Sequence, residues 1–130
     1  MRIRFMTAVA CAMLGLALPG PLAAQLSVEA EIARQIVDRM PQDAGTSFPV
    51  DVGEVFCWSR ITGATGTTIQ HVWIHGEMEF PVSQEIGGSP WRTWTSKTIP
   101  PEWAGEWRVE IRDGDGNLLD TLPFTVGSPP

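Results

Sequence analysis

Residues Gly105–Val126 read G-E-W-R-V-E-I-R-D-G-D-G-N-L-L-D-T-L-P-F-T-V, and this stretch decides the fold. Every second residue from Trp107 to Ile111 is apolar and the residues between them are charged, which is typical of a half-buried β-strand. The D-G-D-G sequence of Asp113–Gly116 supplies residues that accept the positive φ of a tight turn. Leu118–Val126 then returns with a second apolar face. The stretch therefore predicts a β-hairpin.

Upstream of this hairpin, further short segments alternate in the same way and are separated by glycine-rich turns. Both faces of Glu54–Ile61 carry apolar residues, as in the central strand of a two-layer structure. Pro81 indicates an edge strand around Glu77–Ile86, whereas Val28–Met40 fits both a strand and a helix. Together these segments predict an all-β fold, an immunoglobulin-like antiparallel β-sandwich of about seven strands.

The N-terminus has the layout of a secretory signal peptide. Arg2 and Arg4 precede an apolar run, Phe5–Leu18, and prolines and the small pair Ala23–Ala24 follow it. The alternative is an uncleaved membrane anchor, but the run of 14 residues is shorter than the ~20 that span a bilayer. We therefore expect a signal peptide over residues 1–24, cleavage after Ala24, a periplasmic or extracellular location, and no stable membrane anchor after cleavage.

Beyond the signal peptide, the sequence predicts one domain. Residues 25–50 are expected to form an N-terminal strand and a loop leading into the domain, residues 51–126 its β-sandwich core, and residues 127–130 a tail. Without Arg2 and Arg4, the nine basic residues become seven against fifteen acidic ones, a formal charge of −8. An acidic chain argues against nucleic acid and anionic lipid as partners, since both attract basic patches.

Only one cysteine, Cys57, remains after Ala24, so no intrachain disulfide is expected. In the segment V-F-C-W-S it is predicted to be a small buried hydrophobic residue of a strand.

The tryptophan motifs resemble the bacterial domain of unknown function 2914 family. The shared pattern is a strand tryptophan, then H-x-W, then W-R-T-W-T-S-K, then G-x-W-x-V-x-I-x-D-x-x-G, most clearly from Glu54 onward. The matching positions are Trp58, His71, Trp73, Trp91, Arg92, Ser96, Lys97, Gly105, Trp107, Gly116 and Phe124. The resemblance implies a β-sandwich of an exported or membrane-linked bacterial protein and brings no established activity. A domain alone behind a signal peptide is expected to act as a free-standing module.

No catalytic or metal centre is predicted. His71 and His75 would lie on one face of a strand but ~13 Å apart, too far to share a zinc ion. Turn chemistry accounts for the aspartates of Asp113–Asp120, which lack the spacing of a calcium loop. The sequence has no G-x-S-x-G motif and no glycine-rich phosphate loop. We therefore expect a protein that is not an enzyme and has no cofactor.

Tryptophan is the better indication of function, because the sequence has six and no tyrosine. On a strand, Trp91 and Trp94 would face opposite sides, so at least one would lie outside the central core. Exposed indoles beside Arg92 and Lys97 could bind sugar rings or a peptide. Alternatively, Arg92 stacks on Trp91 or Trp107 and the segment W-R-T-W-T-S-K is a structural latch. The candidate binding residues are His71, Trp73, Trp91, Arg92, Trp94, Lys97 and Trp103.

Three functional hypotheses follow. The first is a non-catalytic interaction module that binds an envelope protein or another envelope component; it predicts that Trp91, Trp94 and Trp103 are mostly covered or border an apolar patch. The second is a carbohydrate-binding module for a glycan, which predicts two coplanar indoles on one open face. The third is a metal-dependent or hydrolytic enzyme, which requires His71 within ~3 Å of a carboxylate or hydroxyl in a pocket.

Overall fold

The computed structural model describes residues 26–127. The predicted signal peptide, residues 1–24, and most of the predicted tail lie outside these residues. Among them are nine β-strands and one short 3₁₀ helix. The strands are β1 (Ser27–Val37), β2 (Met40–Ala44), β3 (Ser47–Phe48), β4 (Gly53–Thr62), β5 (Thr68–His75), β6 (Met78–Glu85), β7 (Trp91–Ile99), β8 (Gly105–Asp113) and β9 (Leu118–Val126), and the 3₁₀ helix is Pro101–Trp103.

The strands form two sheets. Sheet A has the order β2-β1-β4-β7, and sheet B has the order β3-β9-β8-β5-β6. All neighbours are antiparallel except β3 and β9, which are parallel. The predicted all-β class is confirmed, and the order β9-β8-β5 beside β1-β4-β7 is compatible with an immunoglobulin-like sandwich. There are nine strands instead of about seven because the N-terminal segment contributes more of them than the sequence indicated.

That segment, predicted as one strand and a loop, contributes β1, β2 and β3. Val28–Met40 is a strand for most of its length and not a helix, since β1 runs antiparallel to β4 over residues 27–33. Asp38 and Arg39 both have positive φ, as in a type I′ turn, and Val37 pairs with Met40 across it. β3 then crosses to sheet B and pairs with the end of β9. Residues 26–50 are therefore integral to both sheets.

The core between the sheets follows from the alternation of each strand. On β4, Val55, Cys57, Ser59 and Ile61 face sheet B, and all four are buried. One apolar cluster surrounds Trp73, Trp107 and Phe124. A second surrounds Ile61, Ile69 and Ile111. The prediction that Cys57 is a buried residue of a strand is confirmed, and burial together with the negative charge of Asp120 raises the pKa of its thiol far above the ordinary range.

The predicted edge strand around Pro81 is β6, which lies at the edge of sheet B and pairs only with β5. β7 is the corresponding edge of sheet A. The two edges face each other, because the Thr93 hydroxyl of β7 donates a hydrogen bond to the Gln84 side-chain oxygen of β6. No helix within residues 26–127 has the length and apolar character needed to cross a bilayer.

Candidate functional site

The candidate residues from the sequence lie in four places. His71 and Trp73 lie between the sheets, Lys97 and Trp103 meet at one end of the sandwich, and Arg92 and Trp94 lie on the outer face of sheet A. Trp91 faces inward at the other end, where it packs with Ile61 and Ile86. The predicted alternation of Trp91 and Trp94 is confirmed, since their strand partners are Ile61 inside and Trp58 outside. The predicted residues therefore do not form one site.

His71 is the centre of a buried polar network that joins the two sheets. Its Nε2 lies 2.9 Å from the Ser59 hydroxyl, and its Nδ1 lies 2.8 Å from the Thr95 hydroxyl. The indole of Trp73 donates to the same Thr95 oxygen over 3.1 Å. Both ring nitrogens of His71 therefore have a partner, and the network satisfies polar groups that would otherwise be costly to bury.

Burial sets the protonation state of this histidine. It lowers the pKa of His71 from 6.5 to about 4, so the imidazole is neutral at pH 7. The distance between Ser59 and His71 is that of a catalytic serine and its general base, but both residues are completely inaccessible to solvent. In addition, the partner of His71 Nδ1 is the hydroxyl of Thr95 instead of a carboxylate. In this geometry, the hydrogen-bonded network of Ser59, His71 and Thr95 connects the two sheets, and the Ser59–His71 pair is not accessible to a substrate.

Trp107 is the centre of an aromatic cluster at one end of the sandwich. His75 stacks on its ring at 4.6 Å between centroids, and Phe124 stacks on it at 6.3 Å. Its indole donates a hydrogen bond of 2.8 Å to the carbonyl of Trp103, which ties the 3₁₀ helix to β8. His75 is half-buried because it covers Trp107. Its Nδ1–H donates to the Glu106 carbonyl over 2.9 Å.

Lys97 closes this cluster from the β7 side. Its Nζ lies 3.7 Å from the centroid of the Phe80 ring and 5.5 Å from that of Trp103. Phe80 in turn stacks on Trp103 at 5.9 Å. The segment W-R-T-W-T-S-K does have a latch, but the cation is Lys97 and the aromatic partners come from β6 and the 3₁₀ helix. Arg92 takes no part in it, because alternation places Arg92 on the opposite face of β7.

Removing the cation from this latch should destabilise the domain. We expect Lys97→Met, which keeps the apolar stem, to lower the free energy of unfolding by about 1 kcal/mol. Urea denaturation measures the effect. Arg34→Met is the matched control, because it removes one positive charge from an exposed position of β1. Equal stability of the two variants would show that the ammonium contributes nothing at this place.

The outer face of sheet A has a second aromatic layer. Trp58 and Trp94 are directly opposite each other on β4 and β7, yet Trp58 is 2 % exposed and Trp94 is 37 % exposed. The difference arises from the β1–β2 hairpin, because the Trp58 indole donates a 2.9 Å hydrogen bond to the carbonyl of Arg39 in the turn. Arg92 reaches Met40 of the same hairpin, with 3.3 Å between Nη1 and Sδ. The hairpin tip therefore lies over the outer face of sheet A and covers Trp58.

Where the hairpin ends, an exposed patch begins. Its apolar members are Val37 at 43 % exposure, Met40 at 37 % and Trp94, and its cations are Arg39 and Arg92. We call these five residues the hairpin patch. Within residues 26–127, neither arginine takes part in an ion pair. The hairpin patch thus combines three exposed apolar side chains with two cations on a chain of net charge −6, and the exposed Asp38 adjoins Arg39 in the turn.

The glycine-rich turn after β8 is held by its own side chains. Asp113 Oδ1 accepts the backbone N–H groups of Asp115 and Asn117 at 2.9 Å each. Hydrogen bonds from Asn117 hold the pKa of the Asp113 carboxyl below its usual range. The predicted turn is present, and the Asp113 carboxylate already accepts hydrogen bonds within it. No group of three or more metal-ligating side chains is found in the described part of the chain.

Sequence reasoning missed several residues of these arrangements, namely Ser59, Thr95, Phe80, Arg39 and Met40. Ser59 and Thr95 had a signal: each is a polar residue at the inward phase of a strand, and such residues need buried partners. Nothing local indicated that the Arg39 carbonyl would meet an indole 19 positions away.

Two comparisons with known proteins bear on this fold. A family model described as "Protein of unknown function (DUF2914)" matches residues 66–126, from the turn before β5 to the end of β9. The predicted resemblance is confirmed over this range, which includes the aromatic cluster and His71. No curated protein matches the chain.

Proposed function

Residues 66–126 match the DUF2914 family model, and from this premise we propose that the chain is an exported, non-catalytic interaction module that binds a protein of the cell envelope. The hairpin patch is the docking surface. Export rests on the predicted signal peptide, residues 1–24, and places the module in the periplasm or outside the cell. No nucleic acid and no anionic membrane surface is expected as a partner, since the chain is acidic.

The observation that carries the proposal is the exposure of Trp94 beside Arg39 and Arg92, which form no ion pair with the other residues that the structure describes. Tryptophan and arginine are the side chains that most often dominate the energy of protein interfaces. Trp94 is the strand partner of the covered Trp58, so pairing within sheet A fixes its backbone position before binding. A partner that fits this surface has an apolar contact area bordered by carboxylates, because Arg39 and Arg92 would then find charge-assisted hydrogen bonds.

The arrangement of the other indoles supports an interaction module over the two alternatives. Trp91 and Trp103 are half-buried at opposite ends of the sandwich, and Trp58, the strand partner of Trp94, is covered. No pair of coplanar indoles on one open face is available for a sugar ring among the described residues. The Ser59–His71 pair, which a hydrolase would need in a pocket, is buried and neutral.

Site-specific photo-crosslinking tests the docking surface in producing cells. A crosslinker at position 37, where Val37 is 43 % exposed beside the intact Trp94, should capture one defined envelope protein, and a crosslinker at position 118 should not. Leu118 is the matched control because it is 57 % exposed and lies on sheet B. Arg92→Glu should abolish the capture at position 37, since it reverses the charge that selects the partner. Equal capture at both positions, or capture that Arg92→Glu does not change, would contradict the proposal.

With the captured protein purified, the interaction can be measured directly. We expect Trp94→Ala to weaken the complex by about 2 kcal/mol, roughly thirtyfold in Kd, while Leu118→Ala leaves it within a factor of about two. Titration calorimetry provides both values. A fluorescence change with peptidoglycan fragments that Trp94→Phe removes would favour carbohydrate binding instead.

A further inference from the structure

On the side where β1 faces β9, an open groove of about 490 Å³ runs between the two sheets. Its apolar lining consists of Ala30, Ile32, Ala44, Leu122 and Pro123, and its charged lining consists of Glu31 and Asp120. On the opposite side the two sheets are joined by the Thr93–Gln84 hydrogen bond and by Lys97 over Phe80. The groove therefore lies on the side of the sandwich where neither of these contacts joins the sheets.

Along this groove, the backbone of β1 has no strand partner among the described residues. β2 pairs with β1 from Ala33 onward, so no strand within residues 26–127 pairs with residues 27–32 on that side. The N–H of Gly45 donates to the carbonyl of Ile32 over 3.0 Å, so the backbone groups of Ile32 point toward the groove. By the alternation of a strand, those of Val28 and Ala30 point the same way. Among the described residues, no strand pairs with them.

Other sheet edges carry features that prevent pairing. On β6, Ile86 N–H donates to Thr67, so alternation turns the position of Pro81, which has no N–H, toward the outside. On β9, Thr125 N–H donates to Thr46, so Pro123 likewise occupies an outward position. A charged side chain pointing inward on an edge strand also discourages pairing, and Lys97 has this orientation on β7.

Charge indicates what could pair with β1. Asp120 faces the interior and is half-buried. Its Oδ1 accepts a hydrogen bond of 2.8 Å from Thr121 N–H, and no described residue donates one to its Oδ2. No ion pair to it is formed within residues 26–127. No lysine or arginine lines the groove. A half-buried carboxylate without a cation favours a partner that brings one.

From these observations we propose that the groove binds an extended segment of another protein by strand addition to Ser27–Ile32. The segment pairs with the outward backbone groups of Val28 and Ala30 and with the N–H of Ile32, whose carbonyl already accepts from Gly45. It places alternate apolar side chains on Ile32 and Leu122 and directs a lysine or arginine toward Asp120. Six residues of β1 offer an edge of ~20 Å. This site is separate from the hairpin patch on the outer face of sheet A, so either site can fail without the other.

Synthetic peptides test the site. The probe is a peptide of about seven residues with alternating threonine and valine and a central lysine on the valine face. A second peptide carries glutamate instead of that lysine, and a third has N-methyl groups on the amides that would face β1. Titration of the protein, purified from cells that express the full sequence, is followed by NMR chemical shifts. We expect shifts confined to β1 and β9 with the lysine peptide, and at least tenfold weaker binding of the other two.

Two protein variants complete the test. Asp120→Asn should weaken binding of the lysine peptide about tenfold, and Asp115→Asn, which removes the same charge from the exposed turn after β8, should leave it unchanged. Ala30→Pro removes an outward N–H, which an edge position tolerates, and should abolish binding while the thermal unfolding transition is retained.

Three outcomes would overturn the proposal. Equal binding of the lysine and glutamate peptides would show that Asp120 does not select the segment. Full binding of the N-methylated peptide would show that the segment does not bind by strand addition. A dimer of this chain that forms with rising concentration and that Ala30→Pro prevents would place a second copy in the groove instead of another protein.

Discussion

Replacement of Trp107 by alanine is expected to lower the free energy of unfolding by about 4 kcal/mol. The ring is 3 % exposed and contacts His75, Phe124, Phe80 and Trp103 within the aromatic cluster. Its loss leaves a cavity at one end of the sandwich and removes the donor that holds the Trp103 carbonyl. Since domains of this size are stable by only 5–15 kcal/mol in general, the variant should fold but unfold at markedly lower urea concentration.

The matched control is the same substitution at Trp94. Because that indole is exposed on the outer face of sheet A, Trp94→Ala should cost less than about 1 kcal/mol. Urea denaturation at pH 7 gives both values, and Trp107→Phe should fall between them, since a ring remains but the hydrogen bond is lost. If the two alanine variants were equally stable, the aromatic cluster would not be the main support of this end of the domain.

The second large effect is a loss of stability at mildly acidic pH that originates in His71. The pKa of His71 is lowered from 6.5 to about 4 in the folded protein because the ring is buried. As the pH falls below 6.5, the unfolded chain therefore takes up a proton that the folded protein does not. Folding is disfavoured progressively down to pH 4 and no further. Between pH 7 and pH 4.5 we expect the free energy of unfolding to fall by about 2.5 kcal/mol.

The loss of stability in this pH range can be assigned to His71, because the carboxyl groups with shifted pKa values affect stability only at lower pH. Hydrogen bonds from Arg112 hold the pKa of the Glu110 carboxyl below its usual range, and Asp113 is shifted in the same direction. The stability that a carboxyl with a lowered pKa contributes is present above its ordinary pKa and is lost only as the pH falls through the lowered value. The stability that Glu110 and Asp113 contribute is therefore retained between pH 4.5 and pH 6.5.

Two histidine variants separate the sources of the effect. His71→Gln keeps a donor and an acceptor in the network but does not titrate, so its stability should be nearly constant between pH 6.5 and pH 4.5. His75→Gln should retain the slope of the original protein. Urea denaturation at a series of pH values measures both. A slope that survives in His71→Gln, or disappears in His75→Gln, would show that the buried network is not its origin.

The β8–β9 hairpin could be predicted from the sequence because its signals are local. Alternation from Trp107 to Ile111 and the turn at Asp113–Gly116 lie within 22 consecutive residues, and the strands pair across that turn. The edge position of β6 followed from Pro81 for a similar reason. The two-layer nature of the fold followed from β4, whose two faces are both apolar.

The β1–β2 hairpin was not predicted, because its turn is Asp38–Arg39 and contains no glycine. The segment also fits a helix, and only pairing with the distant β4 decides between the two. The candidate binding residues were dispersed for a related reason. Alternation fixes which side of a strand Trp91, Trp94 and Lys97 face, but which side chains they meet depends on β6, the 3₁₀ helix and the hairpin tip, all of which are brought there by the tertiary fold.

The cover over Trp58 has a consequence for how this domain can vary. The carbonyl of Arg39 meets the indole at hydrogen-bonding distance, and one residue added to or removed from either arm of the hairpin displaces the turn by ~3.3 Å. That displacement is larger than the tolerance of a hydrogen bond, so the indole would lose its acceptor and its shield together. Although the turn lies at the surface, its length is therefore restricted as strictly as the volume of a core side chain.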